Sequence, residues 1–127
     1  MSEALRRAGY DVRWVGHLPL AEGGDTISVI MTATTDDLHS QELADQYFAG
    51  FKALYDNYPG GFLTVGLYDG VRHMLFVTVE SETFEAFLRG EIDGYVFWKA
   101  ANWNTWDDWT GRWLDTGQDF LSKNFGY

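Results

Sequence analysis

Five of the six tryptophans, Trp98, Trp103, Trp106, Trp109 and Trp113, fall within sixteen residues. An indole buries a large apolar area and keeps one N–H that needs a partner, so such a group suits packing, docking or stacking on a sugar face. At about 100° per residue, Trp103, Trp106, Trp109 and Trp113 occupy one arc of about 120°. Leu114 and Leu121 extend that helical stripe, while Asp107, Asp108 and Arg112 fall elsewhere. The plain reading is an amphipathic helix packed on a sheet. The next is a dimer or partner interface, and a third is a sugar-stacking platform whose neighbouring Asp and Asn side chains hold hydroxyls. Asp107 and Asp108, with little basic charge nearby, argue against a helix lying on a membrane surface.

His73 is the one histidine placed among regular apolar alternation, with Leu75 on its own face. Paired with Gly66, it would have room beside its imidazole for a catalytic or ligand-binding role, although a lone His beside apolar neighbours more often belongs to the packing. His17 falls in a loop near Pro19 with no evident partner. Asp36, Asp37, His39 and Glu42 crowd the start of a helical pattern, where orphan N–H groups and the macrodipole attract acids without any metal. No recognised ligand spacing accompanies them, so neither a metal nor another cofactor is expected. The serines lack a Gly-x-Ser-x-Gly frame, and the glycines fit neither the phosphate-loop nor the dinucleotide pattern. There is no cysteine, which removes disulfides, thiolate metal sites and a cysteine nucleophile together.

The elements that must position these residues follow from periodicity. Tyr10, Val12 and Trp14 alternate with Asp11 and Arg13 as a first strand. After Pro19 and Gly23-Gly24, residues 26–34 alternate Ile27, Val29, Met31 and Ala33 against Thr26, Ser28, Ile30 and Thr32 as a second. Leu43, Ala44, Tyr47, Phe48, Phe51, Leu54 and Tyr55 recur at helical spacing, predicting one long amphipathic helix over about 37–57 that Pro59-Gly60-Gly61 stops. Residues 62–68 and 71–79 flank Asp69-Gly70, a dipeptide suited to a two-residue hairpin turn. That turn sets Tyr68 against Val71, Leu67 against Arg72, Gly66 against His73 and Val65 against Met74. Both faces of such a hairpin are largely apolar, which places it centrally in a sheet or leaves one face for a partner. Ser81 reads as the cap of a short helix through Phe84, Phe87 and Leu88, ended by Gly90. Asp93 reads as the cap of another through Trp98.

The expected architecture is a single α+β domain over 1–127. It has a mainly antiparallel four-stranded sheet in ββαββα order, the long helix on one face, and a Trp-rich helical C-terminus packed on it. With 46% apolar residues the 127-residue chain has enough for one core. Nineteen acids against nine bases give −10, and the bases are scattered singly after Arg7, so nucleic acid and anionic membrane surfaces are poor partners. A salt-adapted source is one route to that balance, and ordinary acidic excess is another. The Arg6-Arg7 pair is followed by no apolar stretch that would complete an export signal, and no run approaches the length of a membrane span; a cytoplasmic location is expected.

Together these features favour a small non-enzymatic binding or regulatory module that self-associates, as a homodimer, through aromatic surface. Trp98, Trp103, Trp106, Trp109, Trp113 and His73 are its candidate contacts. One alternative is a protein binding carbohydrate or another small molecule on the Trp-rich segment. The other is an enzyme with a His–carboxylate site around His73.

Overall fold

The computed structural model describes residues 2–19, 25–35, 41–58 and 60–114. Helix α1 (Ser2–Arg7) precedes strands β1 (Val12–Pro19) and β2 (Asp25–Thr32), helix α2 (Gln41–Asn57) and strands β3 (Phe62–Tyr68) and β4 (His73–Glu80). Helices α3 (Ser81–Leu88) and α4 (Gly94–Ala100) and strands β5 (Asn102–Asp107) and β6 (Arg112–Leu114) complete it. The α+β class stands as expected, but the sheet is neither four-stranded nor wholly antiparallel. Six strands lie in sequence order, β2 and β3 run parallel, and every other neighbouring pair runs antiparallel. Crossing over through the 17-residue helix α2 brings the chain back to the end where β2 began, so β3 must start there and run alongside it.

All four helices of the described residues contribute to one core against one face of the sheet. Ile27, Val29 and Met31 of β2, Leu63, Val65 and Leu67 of β3 and Val77 and Val79 of β4 supply its floor. Leu43, Tyr47, Phe51 and Leu54 of α2 lie over that floor, spaced at one helical face as the sequence predicts. Gly50 brings the two layers close. A Cβ there would stand 2.8 Å from Val65 Cγ2 and 3.1 Å from Met31 Cε. Phe97 of α4, fully buried, touches Phe48, Phe51, Phe84, Phe87 and Trp98, whose ring centroids lie 5.0–6.0 Å away. Gln46, also fully buried, ties the β2–α2 connection: its Oε1 accepts from Thr34 N–H at 3.0 Å and its Nε2 donates to Thr32 O at 2.9 Å.

Several local expectations are corrected, and His17, expected in a loop, lies in β1 opposite Ile27. The Trp-rich segment is not a helix: residues 102–114 form the β5–β6 hairpin. Asn102 and Asn104 are exposed while Trp103, Thr105 and Asp107 are buried, the period-two alternation of a strand. Residues three apart share a face on a helix but point oppositely on a strand, so Trp103 and Trp106 part company. Pairing with β4 turns a short polar–aromatic run, with β-branched Thr105 and two poor helix-forming asparagines, into strand. The hairpin at Asp69-Gly70 is present, but its register is Tyr68 with Met74 and Gly66 with Phe76, not Gly66 with His73. Asp69 causes the longer turn, its Oδ1 accepting the N–H groups of Val71, Arg72 and His73 at 2.8, 2.8 and 3.1 Å. In β1, a register shift between Val12 and Trp14 breaks the expected alternation, leaving Val12 in the core and Trp14 beside Ile30 on the opposite face.

At the short helices, Asp93 caps α4 by accepting from Val96 N–H at 2.9 Å. Ser81 is instead the first residue of α3, after N-cap Glu80, and no side-chain hydrogen bond caps that helix. The early part of the long predicted helix, with Asp36, Asp37 and His39, and the extension to Leu121 lie outside the described residues.

Candidate functional site

The candidate tryptophans are divided by the sheet. Trp98 of α4 and Trp103 of β5 are core residues, 4% and 8% exposed. Their rings lie 5.3 Å apart, and Trp103 Nε1 donates to Trp98 O at 3.1 Å, which satisfies the buried indole N–H. Trp106 is half-buried on the sheet's other face, and its Nε1 donates to Asp108 Oδ1 at 2.9 Å. Trp113 pairs with Trp106 through the backbone in the β5–β6 ladder. Trp109 is different: it sits in the β5–β6 turn and is 68% exposed.

Two loops meet at this end of the sheet. The turn at 69–72 joins β3 to β4, the turn at 108–111 joins β5 to β6, and Asp108 N–H donates to Arg72 O at 2.9 Å between them. Gly111, at φ +63°, makes the second turn tight, and its N–H donates to Asp107 O at 2.8 Å. Beneath both turns lies the Asp107 carboxylate, only 1% exposed. It accepts two parallel bonds from Arg72, from Nε at 2.6 Å and Nη2 at 2.8 Å. It also accepts from Thr110 Oγ1 at 2.8 Å and Trp109 N–H at 3.2 Å. The hydrogen bonds from Arg72 foremost, aided by Thr110 and the Trp109 amide, outweigh burial and hold Asp107 well below the usual carboxylate range. The same contact raises Arg72.

That fork orients the guanidinium over Trp109, with Cζ 4.5 Å from the ring centroid. Val71, 66% exposed, precedes Arg72 in the β3–β4 turn. Trp109 is therefore an exposed indole backed by a fixed cation on a buried acceptor.

His73 also falls here, at the start of β4. Its Nδ1 is 3.6 Å from Asp69 Oδ2 and its Nε2 3.9 Å from Asp107 Oδ1, both longer than a hydrogen bond. Both carboxylates are already engaged, Asp107 by Arg72 and Asp69 by three backbone N–H groups. Burial of Asp69 pushes its carboxyl up, but those three amides together with His73 bring it below its ordinary value. The pairing with Gly66 that would have given His73 room does not occur: the Phe76 ring fills that space, and a Cβ on Gly66 would stand 2.7 Å from Phe76 Cε1.

The sheet's second face carries a buried polar row. Thr26, Thr64 and Thr78 link hydroxyl to hydroxyl at 2.8 and 2.7 Å. At its upper edge Asp11 accepts from Thr32 Oγ1 at 2.8 Å, and Arg13 lies 4.7 Å over the Tyr68 ring. Thr26 and Thr64 are 3% and 2% exposed, and the row ties β2, β3 and β4 together through their side chains.

Arg72 and Asp107 escaped sequence reasoning because nothing in a sequence pairs residues 35 positions apart. Only the strand alternation of 102–107 could have set Asp107 beside His73 and Arg72. Among the described residues no cluster of His, Asp and Glu has the arrangement of a metal site, and no helix is long and apolar enough to cross a membrane. Comparison of the chain with protein-family models, with curated proteins and with solved structures finds no match.

Proposed function

We propose that this protein is a non-enzymatic binding module that self-associates through the tip formed by its β3–β4 and β5–β6 turns, with Trp109 as the anchor. The observation that carries this reading is the exposed Trp109 indole held against Arg72. Exposed Trp and Arg are the side chains most often found at energetic centres of interfaces, and an anchor ordered beforehand loses little freedom on docking. Val71, exposed in the β3–β4 turn, adds apolar area to the tip.

A second copy is the partner that the charge pattern supports. Asp108 in the turn and Arg112 at the start of β6 are both exposed and lie on either side of Trp109 in the chain. A two-fold contact centred on Trp109 sets Arg112 of each copy against Asp108 of the other, which is the self-complementarity an isologous interface requires. Stacking of a sugar face on the same indole is the competing reading. An enzyme around His73 is disfavoured, because both neighbouring carboxylates are committed to loop and guanidinium contacts.

Solution mass by light scattering tests the proposal. The expected result is a concentration-dependent dimer that Trp109→Ala weakens by at least about tenfold, with an unchanged far-ultraviolet spectrum. A wild-type chain that stays monomeric at high concentration, or a Trp109→Ala dimer as tight as wild type, overturns it. A ligand screen read by indole fluorescence would then address the sugar reading.

A further inference from the structure

We infer that Asp107 is the positioning residue of this docking tip, setting both the backbone and the ring of Trp109 while touching no partner itself. The inference rests on the reading of Trp109 as an anchor. An exposed indole on a turn is ordinarily free to rotate about two side-chain bonds, and freezing such a rotor on contact weakens binding by about two- to tenfold. Here both bonds have a reason to be ordered already. One Asp107 oxygen accepts the Trp109 N–H, fixing where the side chain leaves the turn. Both oxygens take the fork of Arg72, whose guanidinium then lies 4.5 Å from the indole centroid.

The remaining contact, from Thr110 Oγ1, fastens the residue after Trp109 to the same carboxylate, so the turn is held on both sides of the anchor. Neighbouring acids do not compete for Arg72: Asp69 Oδ1 is wrapped by its own loop, and Asp108 Oδ1 accepts from Trp106. A carboxylate is needed because it alone accepts a fork and two further donors at once. An arginine is needed because only its planar fork can pair with Asp107 and stack on Trp109 together; lysine keeps the charge but cannot do both.

The test is the full chain labelled with 5-fluorotryptophan, in which fluorine NMR resolves six indoles and Trp109→Phe identifies the relevant one. In wild type the Trp109 resonance should be displaced from that of free fluoroindole. In Arg72→Lys it should move to the free position while the other five stay and the thermal midpoint changes little. Self-association by light scattering should weaken about two- to tenfold in the same variant. Asp107→Asn should move the Trp109 resonance and weaken association in the same way, with a lower thermal midpoint; if it does not fold, Arg72→Lys carries the test. An unmoved Trp109 resonance in Arg72→Lys overturns the inference. So does a moved resonance with undiminished association while Trp109→Ala dissociates. If Trp109→Ala associates as wild type does, the anchor reading fails and takes the docking role of Asp107 with it, whatever the fluorine resonance does.

Discussion

Asp107 is where one side chain has the widest consequences, and its charge makes them pH-dependent. Its carboxyl ionises at lower pH folded than the roughly pH 4 of an unfolded aspartate, because Arg72, Thr110 and the Trp109 amide favour the charged form. A depressed carboxylate stabilises the fold fully above the unfolded value and stops doing so as pH falls through the folded one. Below about pH 4 the unfolded chain binds the proton first, so stability should decline as acid is added. Acid titration of the thermal midpoint should show this slope in wild type. Asp107→Asn should be less stable at neutral pH and show a shallower slope below about pH 4. Equal slopes in the two proteins would mean that the pair is not formed in solution. Asp69, lowered by its loop amides and His73, contributes to the slope that remains in the variant.

At the scale of elements, α2 and the sheet approach closely at Gly50, and that contact keeps the parallel crossover against β2 and β3. A glycine inside a helix is ordinarily a local weakness of about 1 kcal/mol relative to alanine. Here the absent side chain leaves room for Val65 and Met31, both fully buried. Gly50→Val should therefore lower unfolding free energy by about 1–3 kcal/mol through overpacking, measured by urea denaturation with unchanged m-value. A neutral or stabilising result would show that the layers can separate without cost. The same scale explains the edge at β1. Its register shift and Arg13 discourage this edge strand from pairing with another chain.

For the whole molecule, the governing quantity is a formal charge of −10. Two such copies repel at long range, and the repulsion is screened over about 10 Å at 0.1 M salt. If docking is driven by Trp109 and Val71, dimerisation should tighten as salt rises from about 0.05 to 0.5 M, a range that screens this repulsion. Sedimentation equilibrium at several salt concentrations measures it. Weakening with salt would instead assign the contact to the Asp108–Arg112 pairs. The β3–β4 hairpin lies centrally in the sheet, one of the two placements its apolar faces allowed, and its pairing with β5 sets His73 beside Asp107.

Much of this was determined locally, by side chains whose preferences are expressed within a few residues. The alternation of Ile27, Val29 and Met31, the helical face of Leu43, Tyr47, Phe51 and Leu54, the cap at Asp93 and the turn at Asp69-Gly70 are legible in the chain because each element hides one face from water. Tertiary structure decided the rest. Residues 102–107 contain aromatic residues whose spacing also fits a helix, and pairing with β4 made them a strand. The Asp69 carboxylate, by drawing three amides around it, moved the hairpin register and with it the neighbour of His73. Arg72 meets Asp107 across 35 residues only because β4 and β5 lie side by side. Trp109 is thus one of five similar residues in sequence, and its surroundings are set by a buried acceptor that no local pattern places beneath it.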